Sequence, residues 1–498
     1  MPSFPFRFPG HKKLHSFFCL STIELFFRMN AICMLSSPKG QKIDEVENVG
    51  ENEDRISQLP DCILHCILSL LPTKDAVATC ILSTRWKDLW ISVTNLDLKC
   101  ICNYGKGEEW RFKSFTHFVE KVLLLPSSNI KKFRLSLDDY LHCSCANPWI
   151  LAAVRRQVQE LRLSLYSEKK YMYKFLDPSS LPSQRRLLLP DCLYSCKTLR
   201  TLKVKVSCDL ELPGTICLPN LTVLHLCRVN FKDDVSIHKL FSGLTVLEEL
   251  ELTRCTWNMI TATISIPTLK SLALDFSFDS ADNLYCHLRL NVENLMYFSY
   301  TGDLTFDLLL DNLSSLVDAS IHVGGFLRND KSSSHAANLF NGIRFAKSIK
   351  IDNDTMERLS DFAFMGEKII PKFGYLTSLE VNATMTSETS DILKDFLQNS
   401  HILESLVVRK VHGGRWARDL TTQCPMLSLK TCSLQYFSGQ APEVSFLKFV
   451  LKRCAVLERI KLYCAKCLSS NPDKLVYISK QLEKALPKDS KSCVIEFL

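Results

Sequence analysis

The residues best suited to chemistry in this 498-residue chain are its 22 cysteines and 12 histidines. Cys464-Ala-Lys-Cys467 has the C-x-x-C spacing of a zinc half-site or a redox pair. Cys100-Ile-Cys102 and His142-Cys-Ser-Cys145 could in principle converge on one metal. Spacing argues against both. Structural zinc usually takes C-x-x-C-like pairs, because both thiolates of a pair must reach one tetrahedral centre, and a second such pair is missing. A redox pair expects a thioredoxin-like βαβ context, which is absent. Cys80, Cys196, Cys227, Cys255, Cys432 and Cys454 lie in or beside apolar segments, where a free thiol behaves as a small core residue. No phosphate-binding glycine loop, G-x-S-x-G or H-E-x-x-H occurs. The expectation is a protein that binds rather than converts, with no catalytic residues, no metal and no cofactor.

Bulk composition narrows what is bound. Hydrophobic content of 46% and charged content of 23% are ordinary for a globular chain long enough for two to four domains. No stretch approaches the roughly 20 apolar residues of a membrane helix. The net charge of +8 is scattered in short pairs such as Lys131-Lys132, Arg155-Arg156 and Arg185-Arg186, without the dense basic stripe and reading motif of a nucleic-acid binder. Disulfide scaffolds are usually short secreted chains, so this cysteine count reads as free thiols in a reducing compartment. Cytoplasm, nucleus or both are then expected, and the sequons at Asn220 and Asn382 would go unmodified. Neither membrane nor nucleic acid is expected as a partner.

Residues 1–53 read as a disordered leader and an acidic linker. The apolar stretch Phe17 to Phe27 is interrupted by Ser21, Thr22 and Glu24, and Met29 and Met34 offer alternative starts. The next block, residues 54–98, is short and very apolar. Leu59, Ile63 and Ile67 recur at helical spacing, with Leu64, Leu68 and Leu71 in adjacent rows. Pro60 suits a first helical position and Pro72 a stop. Thr73 is expected to cap a second helix, from about Lys74 to Leu82, and Ser83 a third that carries Trp86, Leu89 and Trp90. Three short helices cannot bury all these side chains among themselves, which predicts a partner protein.

The block resembles the F-box. The matching residues are Leu59-Pro60-Asp61, Ile63-Leu64-x-x-Ile67-Leu68-Ser69 leading to Pro72, Thr73-Lys74-Asp75-Ala76-Val77, and Leu82-Ser83-x-Arg85-Trp86-x-x-Leu89-Trp90. The resemblance implies docking onto the Skp-type adaptor of a cullin–RING ubiquitin ligase. It also implies that Leu59, Pro60, Ile63, Leu64, Ile67, Leu68, Leu82, Trp86 and Trp90 dock or support docking.

After the F-box-like block one pattern recurs, apolar-x-x-apolar-x-apolar, and residues 110–420 read as a repeat domain built on it. It begins at Ile130 and Val158 and continues at Leu199, Leu221, Leu247 and Leu269. Weaker copies start at Leu295, Leu316 and Ala346, and further ones at Leu376, Leu403, Leu429 (degraded) and Leu457. Most starts lie 21 to 30 residues apart, the signature of leucine-rich repeats. The tail of each copy predicts a short half-buried strand. Ser236 to Leu244 and Asp391 to Ser400 predict helices on the convex side. The asparagine that usually closes the motif is mostly absent, with Cys227 and Cys255 near its place, which resembles the divergent repeats of plant F-box proteins.

Residues 421–498 predict strand, Gln440–Glu443 turn, helix, strand Leu457 to Tyr463, a polar loop, a helix from about Leu475 to Leu486 and a closing strand. This order resembles the FBD domain. The matching residues are Leu429-Lys430-Thr431, Phe446 to Leu451, Val456-Leu457-Glu458 and Pro487 to Phe497. The chain is thus identified as similar to plant F-box/FBD/leucine-rich-repeat proteins. The implied fold is α/β: a short three-helix F-box, an irregular leucine-rich-repeat solenoid of parallel strands and helices, and a C-terminal α/β FBD segment. The implied function is that of a non-enzymatic substrate receptor of an SCF-type ligase, its target protein unidentified. Two alternatives stay open: an interaction scaffold without target ubiquitylation, and a ligand-sensing receptor whose pocket would need Lys203, Lys205, His225 and Arg254 to converge.

Overall fold

A strand that alternates apolar and polar residues buries one face only, and a single repeat has nothing of its own to cover that face. The computed structural model describes residues 56, 59–100, 108–125, 129–137, 145–165, 186–277, 286–311, 313–324, 331–414, 416, 428–454, 456–469, 471–485 and 493–498. They fall into two units: residues up to 183 with 187–206, and residues 184–186 with 207–498. In each unit the strands bury their faces against those of neighbouring repeats.

In the first unit, the N-terminal block forms α1 (Asp61–Ser69) and α2 (Thr73–Ala78). The second helix is shorter than its spacing predicts, passing at once into the 3-10 turn Thr79–Ile81. Thr79 bonds back to the Ala76 carbonyl (2.7 Å), the local competition that weakens helices at threonine. The third helical segment is likewise only the 3-10 turn Leu89–Ser92. Pro60 occupies the cap position of α1 rather than the first helical one, and Pro72, expected as a stop, follows the end of α1 and caps α2. Thr73 does not cap its own helix. Its hydroxyl accepts from Asp97 N–H (2.8 Å), tying α2 to the first strand.

The strands β1 (Asn95–Cys100), β2 (Lys132–Leu137), β3 (Glu160–Leu165), β4 (Arg186–Leu188) and β5 (Thr201–Glu211) follow. Their parallel register places Leu96, Phe133, Leu161 and Leu202 on one rung and Leu98, Leu135, Leu163 and Val204 on the next. All eight are buried. Between the strands run α3 (Glu108–Leu124) and α4 (Ala146–Arg155), where Phe115 and Trp149 meet edge to face at 5.9 Å.

In the second unit the main ladder is β6 (Val223–Phe231), β7 (Glu249–Thr253), β10 (Ser271–Phe276), β12 (Tyr297–Gly302), β14 (Asp318–Val323), β15 (Ser348–Asp352), β16 (Ser378–Met385), β17 (Ser405–Val411), β18 (Thr431–Phe437), β19 (Arg459–Cys464) and β20 (Val494–Phe497), every pair parallel. The short β8 (Thr256–Trp257) pairs with the end of β6. Every copy of the repeat motif in the chain, weak ones included, becomes a strand that starts two residues after its first apolar position. The closing asparagine's place is taken by Val229 after β6's core leucines and by Cys255 after those of β7. Both are fully buried, whereas Cys227 lies two residues earlier and is half-buried. The Cys255 thiol points to the Leu226 carbonyl of the preceding repeat (3.4 Å), and burial pushes its pKa up to about 12.

A second sheet was not expected from the sequence. β9 (Thr261–Ser265), β11 (His287–Asn291) and β13 (Asp307–Asp311) form a parallel trio in which Ala262, Ile264, Leu288, Leu290 and Leu308 are buried. Phe276 and Phe306 stack at 4.1 Å, with Trp257 meeting both edge-on. Helices α5 (Asp234–Ser242) and α6 (Ser332–Gly342) flank this trio. Gly342 permits the approach of α6, since a Cβ there would lie 2.5 Å from the Leu310 Cβ. Further along stand α7 (Asn353–Phe364) and α8 (Thr389–Gln398), one of the two expected convex helices; α5 is the other.

The C-terminal segment contains α9 (Ala441–Arg453), α10 (Lys466–Ser469) and α11 (Pro472–Glu483). Gln440–Glu443 is not a free turn but the cap and first turn of α9. The fully buried Glu443 accepts from the backbone N–H of Ser438 and Gln440 (2.8 Å for Gln440), completing a capping box. α11 starts three residues before its expected position, with Asn471 capping Lys474 N–H (3.1 Å). The Glu443→Ala variant should lose about 2–3 kcal/mol, because buried donors are left without an acceptor. A urea titration is expected to show a lower midpoint at unchanged slope, with Glu443→Gln losing less.

Candidate adaptor-docking face

Helix α1 divides its apolar residues between two faces. Leu64 and Leu68, four residues apart, are fully buried, while Ile63 and Ile67, one position earlier on each turn, are 44% and 38% exposed. Successive helical residues diverge by about 100°, so one helix carries a supporting row and a presented row. Leu70, three residues past Ile67, extends the presented row and is 85% exposed. Pro60 opens the helix with its carbonyl accepting from Ile63 and Leu64 N–H (2.9 and 3.2 Å). Asp61 places a carboxylate in the first turn, where the helix dipole favours it.

Trp86 and Trp90 belong to the support. They are 3% and 5% exposed, and the Leu89–Ser92 turn packs on α1, where Ser92 and His65 share a 2.8 Å hydrogen bond. Leu82, by contrast, is 61% exposed, as is its neighbour Ile81 at 59%. Arg85 ties this edge to the start of α1. Its guanidinium donates to the Leu59 carbonyl (2.6 Å) and to Asp61 Oδ1 (3.1 Å from Nε). An exposed ion pair of this kind adds little stability. Its value is positional, since the turn bearing Leu82 is held to the end of α1 that carries Leu59 and Pro60.

The nine residues expected at the interface therefore divide in two. Pro60, Ile63, Ile67 and Leu82 are exposed and Leu59 is half-exposed, whereas Leu64, Leu68, Trp86 and Trp90 lie beneath them. Ile56, Leu70 and Ile81 are further presented residues that the sequence reading left out. The Ile63–Ile67–Leu70 spacing was the signal available for Leu70.

The chemistry-bearing residues lie elsewhere. Cys464 ends β19 half-buried, its thiol pushed up by burial, and Cys467 is exposed on α10. Cys100 is buried on β1 and Cys145 is exposed before α4; Cys102, His142 and Cys143 fall outside the described residues. Cys100, Cys145, Cys464 and Cys467 are free thiols. Among the described residues, His322, Asp352 and Asp354 bring three metal-capable groups within 4.8 Å. Asp352 there caps α7 through Thr355 N–H (3.1 Å) and pairs with His322 Nδ1. A cation would sit at the positive end of that helix, so the cluster reads as a cap. Of the residues named for a ligand pocket, His225 lies between Glu249 and Glu251 (2.6 and 2.9 Å), and Arg254 occupies a left-handed turn after β7 (φ 53°).

Family models match three stretches: the F-box domain over residues 56–98, the LRR repeats of the FBD-associated F-box protein At5g56370 over 146–305, and FBD over 421–462. The F-box/LRR-repeat protein At4g14103 of Arabidopsis thaliana is 31% identical over 375 residues, covering 72% of this chain and 91% of the relative. The chain belongs to the F-box/LRR-repeat family. Two relatives carry the FBD in their names as well. The Arabidopsis F-box/FBD/LRR-repeat protein At4g26340 is 28% identical, covering 82% of this chain and 92% of its own length, and At5g56420 is 27% identical over 89% and 99%. Membership in the F-box/FBD/LRR-repeat group points to a substrate-adaptor role, and the F-box implies a Skp-type adaptor as partner and a part in ubiquitin ligation. No helix among the described residues is long and apolar enough to cross a membrane.

The two-row arrangement makes a direct prediction. Trp90→Ala should destabilise the F-box by about 3–5 kcal/mol, through lost burial and a residual cavity. Leu82→Ala should change stability by less than about 0.5 kcal/mol. Thermal unfolding followed by tryptophan fluorescence distinguishes the two.

Proposed function

We propose that this protein is the substrate-recognition subunit of an SCF-type cullin–RING ubiquitin ligase. Its F-box would bind a Skp-type adaptor through Leu59, Pro60, Ile63, Ile67 and Leu82, with Leu64, Leu68, Trp86 and Trp90 holding those residues in place. The leucine-rich repeats and FBD would hold a target protein. The observation that carries this reading is the apolar row left uncovered on α1 and on the Ile81–Leu82 edge. Such a row costs solubility unless a partner covers it.

The mechanism is proximity. The chain supplies geometry: a target held on the repeats meets the charged conjugating enzyme at raised effective concentration. The chemistry belongs to the RING and conjugating subunits. The place of action is the cytoplasm, the nucleus or both.

The test is direct binding of the purified full chain to a Skp-type adaptor, measured by biolayer interferometry. Leu59→Ala/Pro60→Ala should weaken binding by at least about 100-fold, as expected when anchors at an interface centre are removed, with the melting temperature of the repeats unchanged. Folded wild-type protein that fails to bind the adaptor would overturn the proposal.

A further inference from the structure

The outward side chains of the first unit's sheet carry an unusual arrangement of charge. Parallel register sets Arg134 of β2 beside Arg162 of β3, and Arg162 beside Lys203 of β5. Three cations thus stand on consecutive strands, about 4.8 Å apart at the backbone. Like charges directly opposite one another destabilise a sheet. Lys132 lies one row before them, and Lys99 and Lys205 lie one row after. Asp97 and Glu160 answer part of this charge. Asp97 pairs with Arg134 (3.7 Å), and Glu160 pairs with Lys132 (3.1 Å) and Arg162. Burial works against ionisation of Glu160, but those two cations outweigh it and hold its carboxyl below the ordinary range. Lys99 and Lys203 have no carboxylate partner among the described residues.

The second unit does the opposite at its outward positions. His225 lies between Glu249 and Glu251, Lys350 meets Glu380 (3.2 Å), and Arg459 meets Glu496 (3.2 Å). Opposite charges on neighbouring strands are the rule there, and the Arg134–Arg162–Lys203 row departs from it.

We propose that this row is the docking surface for an acidic, extended polypeptide segment of the target. The inference rests on the target-receptor reading and specifies the chemistry of its partner. The row spans two strand spacings, about 10 Å, too long for one compact anion and suited to side chains that alternate along an extended chain. Its neighbours on the same face are polar, Ser136, Ser164 and Thr201 among them, and no aromatic ring stands on these rows among the described residues. Single-stranded nucleic acid would need such rings for base stacking.

The test uses the full chain and a fluorescein-labelled ten-residue polyglutamate peptide, read by anisotropy at two salt concentrations. Wild type should bind, more weakly at higher salt. Arg162→Ser/Lys203→Ser should lose at least tenfold in affinity. Lys347→Gln/Lys452→Gln, which removes the same charge from exposed sites in the second unit, should bind as wild type. Should the double serine variant melt early, Lys203→Gln alone carries the test, with a several-fold loss expected. Equal loss in the second-unit variant, no binding by wild type, or tighter binding of a ten-nucleotide polyuridine RNA would each overturn the proposal. The Leu59→Ala/Pro60→Ala chain, assayed without adaptor, should bind polyglutamate normally, which separates failure of this surface from failure of adaptor docking.

Discussion

Everything in the repeats depends on one condition: a strand whose inner face is apolar must be covered from both sides along the ladder. Leu250 on β7 is buried because its register partners on β6 and β10 are Leu224 and Leu272, and the same holds rung after rung. No repeat is stable by its own contacts, so stability is a sum over neighbouring interfaces. The backbone hydrogen bonds of each strand are likewise supplied by the next. Thr355 adds a side-chain version of the link. Its hydroxyl, fully buried, accepts from Val323 N–H (2.7 Å) on the strand of an earlier repeat.

The F-box solves a different problem, since it must stay folded while leaving apolar surface bare. It does so by spending its two tryptophans and the Leu64–Leu68 row on its own interior. Ile63, Ile67 and Leu82 then add little to the fold and are available to a partner. Arg85 contributes alignment rather than cohesion, because its bonds to Leu59 and Asp61 are made at the surface.

The phase of the repeats was legible in the sequence because burial alternates with a period of two. The leucines mark the inner face, and the strand begins at a fixed offset from them even in the weak copies at Leu295, Leu316 and Ala346. The β9–β11–β13 trio was not, because segments such as Thr261–Ser265, paired with His287–Asn291 about one repeat length on, fall between copies of the leucine motif. The third F-box segment was overread. Trp86, Leu89 and Trp90 have helical spacing, but the chain reaches the same burial with turns and one 3-10 step. The split of the nine residues expected to dock or support docking into presented and supporting sets needed the structure, since the sequence shows only that all are apolar. The Arg134–Arg162–Lys203 row was invisible for a related reason: residues 28 and 41 positions apart become neighbours only through parallel register.

The pleat that alternates side chains between faces also separates two kinds of position. A change at an inward position such as Leu163 disturbs the packing of both adjoining repeats. A change at Arg162, one residue away on the outward face, leaves that packing in place. Outward positions can therefore change one at a time while the scaffold stays put.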